Sequence, residues 1–340
     1  MVTSPVPPVL AKALSALREP SLLVKWSCRA AGRLTLGWYF TRLVRTAYQN
    51  QNAPERARIA TKARVWYGLA RGSPLSALLF LEQVYAAQQR LFRRGARDAL
   101  GVTPIGFADV VVECTAADAN TSRIYLCGFD ESVTAFRAYA EHARAGTVAV
   151  DVGANIGLHS AVLSRCVGPT GAVYAYEPVS QLADRCARTL ARNAATNVVL
   201  RRVGVSDRAS RIPFRFDASA FNIGIGHYHP DAPQVIVTVR LDDDLRTVAA
   251  RISLVKIDVE GLEVSVLRGA QRLLAAHRPV LIVEYNQTSW TLDDLKRSIP
   301  YAVDIRQLPT TLRDREGAVR DGITQGGNLL VRPLPPALTR

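Results

Sequence analysis

The sequence predicts a doubly wound, Rossmann-like α/β sheet, and three observations indicate it. A short β-branched run, Val148–Val152, leads into a glycine turn that ends at Gly157, where a helix is expected to begin. Beyond this turn, apolar runs of strand length alternate with helical segments. Acidic residues close successive strands: Asp151, Glu177, Asp258 and Glu284, with Asp207 just past another strand. Because the carboxyl ends of parallel strands meet at one edge of an open sheet, that edge is the predicted site.

The remaining elements are expected in a regular order along the chain. A small strand pair, Val110–Thr115 and Ile124–Leu126, precedes a helix from Gly128 to Glu141. The elements predicted after the central strand are helix Leu158–Cys166, strand Ala172–Tyr176, helix Gln181–Ala194, strand Val198–Val205, strands Ile212–Phe216 and Gln234–Arg240 around the loop Phe221–Pro230, strand Ser253–Ile257, helix Glu263–Leu274, strand Val280–Val283, and the closing strands Tyr301–Gln307 and Asn328–Val331, one of them antiparallel.

Basic residues concentrate in the N-terminal part of the chain. The net charge of the 340 residues is +14, of which residues 1–100 carry +12. Residues 10–97 are rich in Ala, Leu and Arg and are predicted to be helical. Such a segment suits either peripheral contact with an anionic membrane or a helical face that packs on the rest of the protein, and packing is favoured. The rest of the chain is almost neutral, so nucleic acid is not an expected partner.

Cysteine usage and hydropathy bear on the compartment. The five cysteines are odd in number and form no Cys-x-x-Cys pair, which is typical of a reducing compartment. No apolar run approaches the roughly 18 residues that a membrane span needs, and the N-terminus lacks a signal-peptide pattern. We therefore expect a cytoplasmic protein, with attachment to the inner face of the membrane as the alternative location.

The glycine turn favours S-adenosylmethionine over a nicotinamide dinucleotide as ligand. Gly153-Ala-Asn-Ile-Gly157 does not have the G-x-G-x-x-G spacing, although Glu177 stands twenty residues after Gly157, as a ribose-binding acid would. The two glycines are expected to let the backbone approach a ligand closely. Asp151, two residues before the first glycine, makes an acidic surrounding that suits a cationic ligand bearing an amino acid.

Two further strand ends are predicted to hold the rest of this ligand. Glu177 is placed to accept from both ribose hydroxyls, and Pro178 stiffens its backbone. Asp207 is expected at the adenine amino group, unless Ser206-Asp207 is a plain turn.

Several short motifs occur in a characteristic order. They are Asp151-Val-Gly-Ala-Asn-Ile-Gly157, Tyr176-Glu-Pro178, Val205-Ser-Asp207, Leu241-Asp-Asp243, Lys256-Ile-Asp-Val-Glu-Gly261 with Glu263–Ala270, and Arg278–Glu284. Through them residues 147–285, about 40% of the chain, resemble the FkbM family of S-adenosylmethionine-dependent methyltransferases. The resemblance implies a class I methyltransferase sheet of seven strands, mostly parallel, and usually O-methylation of hydroxyls on sugars or natural products.

The resemblance also implies residue roles and a division of the chain. Around the methionine part of the cofactor it places Asp151, Gly153, Ala154, Asn155 and Gly157. The predicted division is a basic helical segment at 1–100, adaptor strands and a helix at 101–145, and an FkbM-like methyltransferase domain at 146–335.

Methylating a hydroxyl requires its alignment with the methyl donor and removal of one proton. Asp258, Glu260 and Glu284 are the predicted catalytic residues, because neighbouring carboxylates raise the pKa of one of them, and His159 and His227 are alternative bases. Glu260 is an alternative cap for the following helix. The three carboxylates would also suit a divalent cation, but nothing else in the sequence points to one, and no metal is predicted.

His159, Asn222 and His227 are predicted to contact the acceptor, with a histidine that has no role as the alternative. The predicted function is an S-adenosylmethionine-dependent methyltransferase that O-methylates a hydroxyl of a sugar, glycolipid or secondary metabolite. Two other functions remain open: a membrane-associated or scaffold protein with a vestigial methyltransferase domain, and a nucleic-acid methyltransferase.

Overall fold

The computed structural model describes residues 99–115, 118–127, 133–216, 226–228, 231–232, 234–285, 289–308 and 327–335. The predicted helical segment at 10–97 lies outside them. The chain divides into two compact units, one of residues 1–100 and 115–127 and one of residues 101–114 and 128–340. In the first unit the helix α1 (Ala119–Cys127) is described. The predicted three-part division of the chain stays a prediction.

The described strands and helices have the following bounds. Strands β1 (Ala99–Pro104) and β2 (Val111–Thr115) form a two-stranded sheet. After them come α2 (Val133–His142), β3 (Val148–Val152), α3 (Leu158–Val167), β4 (Ala172–Tyr176), α4 (Ser180–Arg192), β5 (Val198–Arg201), β6 (Gly204–Val205), β7 (Ser210–Phe216), β8 (Gly226–Tyr228), β9 (Gln234–Val239), α5 (Leu241–Asp244), β10 (Ile252–Ile257), α6 (Glu263–Arg268), α7 (Gln271–His277), β11 (Val280–Glu284), α8 (Leu292–Arg297), β12 (Val303–Gln307) and β13 (Asn328–Pro333).

The main sheet has seven strands in the order β12-β13-β11-β10-β3-β4-β5. Strands β11, β10, β3, β4 and β5 pair in parallel, whereas β13 runs antiparallel to both β11 and β12. Every residue of β3 and β10 is buried, as expected for central parallel strands covered on both faces. The predicted doubly wound, mostly parallel sheet of seven strands is confirmed.

A second sheet, in the order β6-β9-β7-β8, departs from the predicted elements in two ways. The predicted strand Val198–Val205 splits, because β5 pairs with β4 whereas β6 pairs with β9. The segment predicted as a loop, Phe221–Pro230, includes β8, which pairs with β7. Apolar periodicity predicts a strand but does not say which sheet receives it, so neither departure was visible in the sequence.

Two predicted elements outside this sheet were also wrong. Ile124–Leu126 belongs to helix α1 rather than to a strand, and Asp118 Oδ1 accepts a hydrogen bond from the Asn120 amide at 3.0 Å at the start of that helix. The predicted helix Glu263–Leu274 is interrupted between α6 and α7. The interruption brings Gly269 against the main chain at Ser206, where an added Cβ atom would lie 2.0 Å from the carbonyl oxygen.

Buried aliphatic side chains of β3, β10, β11 and β13 form the core with those of α6 and α7. The core also encloses ionisable side chains at the carboxyl edge of the sheet: Asp151, Glu177, Lys256 and Glu263 are each no more than 5% exposed. Among the described residues, no helix is both long and apolar enough to cross a membrane.

Candidate functional site

The glycine turn links β3 to α3 through three residues with positive φ. These are Gly153 (φ 82°), Asn155 (φ 51°) and Gly157 (φ 82°). The amides of Gly153 and Ala154 both donate to the carbonyl of Tyr176, at 3.1 and 2.9 Å, so the turn is tied to the end of β4. The left-handed conformation favours glycine at two of the positions and is tolerated by asparagine at the third.

The two glycines are also required by the protein itself. A Cβ atom at Gly153 would lie 1.9 Å from the carbonyl oxygen of Asp258, at the end of β10. A Cβ atom at Gly157 would lie 2.7 Å from Cys186 Sγ on α4. Close packing on β10 and α4 is therefore a sufficient reason for both glycines, in addition to the predicted approach of a ligand.

Asp151 is fully buried; its Oδ2 accepts a hydrogen bond, whereas its Oδ1 has an ion-pair partner but no hydrogen-bond partner. Ser160 Oγ donates to Oδ2 at 2.6 Å, and Lys256 Nζ lies 3.2 Å from Oδ1. The Lys256 ammonium also donates to the Gly153 carbonyl at 2.7 Å and lies 3.5 Å from Asp258 Oδ2. Burial alone would lower the pKa of Lys256, but Asp151 and Asp258 outweigh it and hold the pKa above its ordinary value.

Glu177 lies at the end of β4 with its carboxylate turned back over the glycine turn. Its Oε2 accepts from the Asn155 amide at 2.8 Å, and its Oε1 accepts from the Val179 amide at 2.9 Å. Burial raises the pKa of Glu177 to about 7, and the two backbone hydrogen bonds offset part of that rise. Each carboxylate oxygen has a second lone pair, so the side chain retains capacity to accept from a ligand hydroxyl.

A second turn, Asp258–Gly261, follows β10 and is held in shape by Glu263. The Oε1 atom of Glu263 accepts from the amides of Val259 and Gly261, both at 3.1 Å. Its Oε2 atom accepts from Trp290 Nε1 at 2.7 Å. Glu263 therefore fixes the turn from the first residue of α6, and it is Glu263, rather than Glu260, that accepts from the amides of Val259 and Gly261.

Asp258 and Glu284 form a coupled carboxyl pair at the ends of the neighbouring strands β10 and β11. The charge of Asp258, together with burial and a hydrogen bond between the two, raises the pKa of Glu284 to about 9. Burial also tends to raise the pKa of Asp258, but Lys256, the hydrogen bond from Glu284 and His159 outweigh it and lower the pKa. Near neutral pH the pair therefore holds one proton on Glu284 and one negative charge on Asp258.

Glu260 occupies the middle of the acidic turn in a left-handed conformation, with φ 53°. A residue with a branched or long side chain adopts this conformation at a cost of about 1–2 kcal/mol. Burial, followed by the charges of Asp258 and Glu263, raises the pKa of Glu260 to about 7. Its carboxylate thus changes charge near neutral pH, next to the ionised Asp258.

His159 stands on the first turn of α3, near this acidic cluster. Its Nδ1 atom shares a hydrogen bond of 2.7 Å with the hydroxyl of Tyr139 on α2. The ring packs edge-on against Phe136 and Tyr139, at centroid distances of 5.2 and 5.8 Å. The His159 ring is one of the groups that lower the pKa of the Asp258 carboxyl.

Other predicted site residues stand apart from this cluster or outside the described chain. Asp207 is exposed on the turn after β6, where Ser206 Oγ donates to it at 3.3 Å and Arg208 Nε lies at 3.9 Å. Pro178 is half-buried directly after Glu177. Asn222 lies outside the described residues, and of His227 only the backbone is described, in β8 opposite Arg215.

Sequence reasoning missed the residues that hold the predicted ones in place: Lys256, Ser160, Glu263 and Tyr139. A signal was available for the first of these, because a buried Asp151 requires a partner and a lysine stands at the matching position of the adjacent strand. Glu263 and Tyr139 act through contacts that no periodicity predicts.

The cluster is acidic but internally compensated. One carboxylate oxygen from each of Asp258, Glu260 and Glu284 lies within 4.8 Å of the other two. Hard-oxygen clusters suit divalent cations, but here the Lys256 ammonium and the proton on Glu284 already balance much of the charge, and we assign no metal. The uncompensated charge at the edge is negative, which favours a cationic ligand beside the glycine turn.

Comparisons with known proteins agree with the sequence motifs. Residues 151–315 match the model of the methyltransferase FkbM domain. The hexuronic acid methyltransferase AglP of Haloferax volcanii is 30% identical over 147 residues, which cover 43% of this chain and 59% of that protein. A protein-L-isoaspartate O-methyltransferase of Methanocella arvoryzae is 30% identical over 107 residues, 31% of this chain and 54% of that protein.

Among solved structures, a methyltransferase FkbM from Methylobacillus flagellatus is 19% identical, with a TM-score of 0.39, over 63% of this chain and 52% of that one. The chain thus spans little more than half the length of the curated relatives that it matches. The resemblance inferred from the motifs is confirmed: residues 151–315 match the methyltransferase FkbM domain.

Proposed function

We propose that this protein is an S-adenosylmethionine-dependent methyltransferase that O-methylates a hydroxyl of a sugar, glycolipid or secondary metabolite. The observation that carries the proposal is the juxtaposition of the glycine turn with the acidic turn, through the contact of Gly153 with the Asp258 carbonyl. One turn is suited to a cationic nucleoside ligand and the other to proton removal, and methyl transfer to a hydroxyl needs both at one place.

The residues of the glycine turn fit such a cofactor. Asp151, Gly153, Ala154, Asn155 and Gly157 are the proposed surroundings of its methionine part, Glu177 of its ribose and Asp207 of its adenine. The buried carboxylate of Glu177, which retains free lone pairs, supports a role as acceptor for ribose hydroxyls. When bound, S-adenosylmethionine would supply the electrophilic methyl group.

Glu260 is the proposed general base. A base works best when its pKa lies near the working pH, and burial with the neighbouring acids raises the pKa of Glu260 to about 7. Asp258 and Glu284 are held more firmly, the first by Lys256 and the second by the proton shared with Asp258. Their proposed role is to set the charge around Glu260 and to orient the acceptor hydroxyl, with His159 beside them.

The acceptor class is proposed from the relatives. The name of the Haloferax volcanii relative gives a hexuronic acid as its substrate, and the FkbM resemblance implies hydroxyls of sugars or natural products. A hexuronic acid carries a carboxylate of its own, so a partly acidic site would require its hydroxyl, rather than its acid, to face Glu260.

Calorimetry with S-adenosylmethionine tests the first half of the proposal. The full-length protein is expected to bind the cofactor, and Glu177→Ala is expected to weaken binding by about tenfold or more, as loss of a hydrogen bond to a charged group does. Glu141→Ala, an exposed acid on α2, is the matched control. Absence of binding to the wild-type protein would overturn the proposal.

A further inference from the structure

We propose that Lys256 is a positioning residue that joins the glycine turn and the acidic turn into one unit and keeps Glu260 able to act as a base. The inference rests on the proposed function, since it gives Lys256 a role in the same site. Nothing in the motifs or comparisons assigns this role.

The ammonium group of Lys256 has partners on both turns. Lys256 is 2% exposed, and its Nζ atom donates to the carbonyl of Gly153 at 2.7 Å. The same atom lies 3.2 Å from Asp151 and 3.5 Å from Asp258. A charged hydrogen bond to a backbone carbonyl of the turn fixes the turn itself, whereas the pairing with Asp258 fixes the strand end on which the acidic turn begins.

Lys256 lies directly beside Asp151 in the sheet. The two residues are register partners on the adjacent strands β10 and β3. Asp151 alone would neutralise a buried lysine, and Ser160 already satisfies the other oxygen of Asp151. A buried ammonium has three N–H donors, so the contacts with Gly153 and Asp258 complete the set that Asp151 begins, and both lead to the ends of strands where the proposed chemistry takes place.

Lys256 also changes the balance of charge around Glu260. The charged groups that act on its carboxylate are Asp258, Glu263 and Lys256, of which only Lys256 lowers the pKa. Glu284, in the same cluster, carries a proton near neutral pH. Removing the ammonium leaves acids alone around Glu260, so its carboxylate would take up a proton at higher pH and would be a neutral acid, not a base, at pH 7.

The test replaces the buried pair by a neutral pair. In Lys256→Gln/Asp151→Asn both charges disappear, so no buried charge is left without a partner, and the amide of the new glutamine can still donate to a carbonyl. Lys256→Met/Asp151→Asn is the second version, and Lys296→Met, which removes an exposed lysine of α8, is the matched control. Cooperative urea unfolding establishes that each variant is folded.

The measurement is the protonation of Glu260 as a function of pH, monitored by NMR of protein labelled with ¹³C at the glutamate carboxyl carbons. The Glu260 signal is assigned from its absence in Glu260→Gln. The measurement requires neither cofactor nor acceptor. The wild type and Lys296→Met are expected to titrate with a pKa of about 7 for Glu260. Both double variants are expected to titrate at a measurably higher pH than the wild type and Lys296→Met, the direction that the loss of a nearby opposite charge gives. Equal titration of Glu260 in a folded double variant and in the wild type would overturn the proposal.

A second measurement separates this proposal from the proposed function. Binding of S-adenosylmethionine, measured by calorimetry, should weaken by about tenfold in the double variants relative to Asp151→Asn alone, since Asp151 is itself a proposed cofactor residue and only the further loss reports on the charged partner of the Gly153 carbonyl. If the wild type bound no cofactor while the titration of Glu260 shifted as expected, the function would fail and the role of Lys256 in setting the charge of Glu260 would stand. If cofactor bound equally to Asp151→Asn and to the double variants, the joining of the two turns by Lys256 would be refuted.

Discussion

Gly153 and Asp258 touch through their main chains: a Cβ atom added to Gly153 would lie 1.9 Å from the Asp258 carbonyl oxygen. The first residue is the beginning of the glycine turn and the second is the beginning of the acidic turn. The two turns follow the adjacent parallel strands β3 and β10, so a displacement of one turn is expected to displace the other.

Gly153→Ala is expected to lower the free energy of unfolding by about 3 kcal/mol, because it combines a left-handed conformation with a clash against backbone that has no free space. Gly146→Ala is the matched control. Gly146 also has a positive φ, of 75°, but an added Cβ there would meet only Thr170 Oγ1, at an ordinary contact distance of 3.5 Å, so a loss of about 1 kcal/mol is expected. Urea unfolding measures both, and equal losses would contradict the proposed close contact.

Glu263 is expected to stabilise the acidic turn through three hydrogen bonds. Glu263→Gln leaves one oxygen for the Val259 and Gly261 amides and turns an NH₂ group towards Trp290 Nε1, so two donors face each other. A loss of about 1–3 kcal/mol in the free energy of unfolding is expected. Trp290→Phe removes the opposing donor and should recover part of the loss in the double variant. Strict additivity of the two substitutions in urea unfolding would argue against the contact.

The left-handed conformation of Glu260 is expected to lower the free energy of unfolding, although the proposed activity needs a glutamate at this position. Glu260→Gly relieves the left-handed strain and should raise the free energy of unfolding by about 1 kcal/mol. Glu260→Gln removes the same charge but keeps the side chain in the strained conformation, so the difference between the two variants isolates the backbone contribution. If Glu260→Gly were less stable than Glu260→Gln in thermal unfolding, strain at this position would be excluded.

The pKa of Glu177, raised by burial to about 7, predicts pH-dependent cofactor affinity. A ribose hydroxyl donates to the ionised carboxylate, and a cationic ligand is attracted to it, so the ionised form is the one that binds. Affinity for S-adenosylmethionine should therefore rise as the pH increases through 7, and fall by up to about tenfold for each pH unit below it. Calorimetry of Glu177→Gln over the same pH range provides the correction for titration of the ligand itself. A wild-type profile parallel to that of Glu177→Gln would exclude this role.

The sequence was sufficient for the fold of the central sheet and insufficient for the interior of the site. Strand Val148–Val152 and the acids at the strand ends were predictable because buried parallel strands are uniformly apolar, and a strand-end acid interrupts the pattern. The change of sheet at Gly204 was not predictable, since β6 is two residues long and its partner β9 follows much later in the chain.

The side-chain contacts within the site were the second feature that could not be predicted from the sequence. That a buried Asp151 needs a cation follows from its burial, and the register of β3 and β10 provides Lys256. The hydrogen bond of Glu263 with the Val259 amide, four residues earlier, depends on the exact path of the acidic turn. Asn222 and residues 1–98 are not described, so the predictions that fall on them stay predictions.

Transfer of a labelled methyl group from S-adenosylmethionine tests the central claim most directly. The full-length protein, incubated with fractionated extract of its source cells and with hexuronic acid-containing glycans, is expected to label an acceptor hydroxyl. Glu260→Gln is expected to reduce the rate by about 10²–10⁴-fold, as loss of a general base does, whereas Glu141→Gln should leave it unchanged. Labelling that Glu260→Gln did not slow would contradict the proposed base, and absence of labelling in every fraction would contradict the proposed methyltransferase itself.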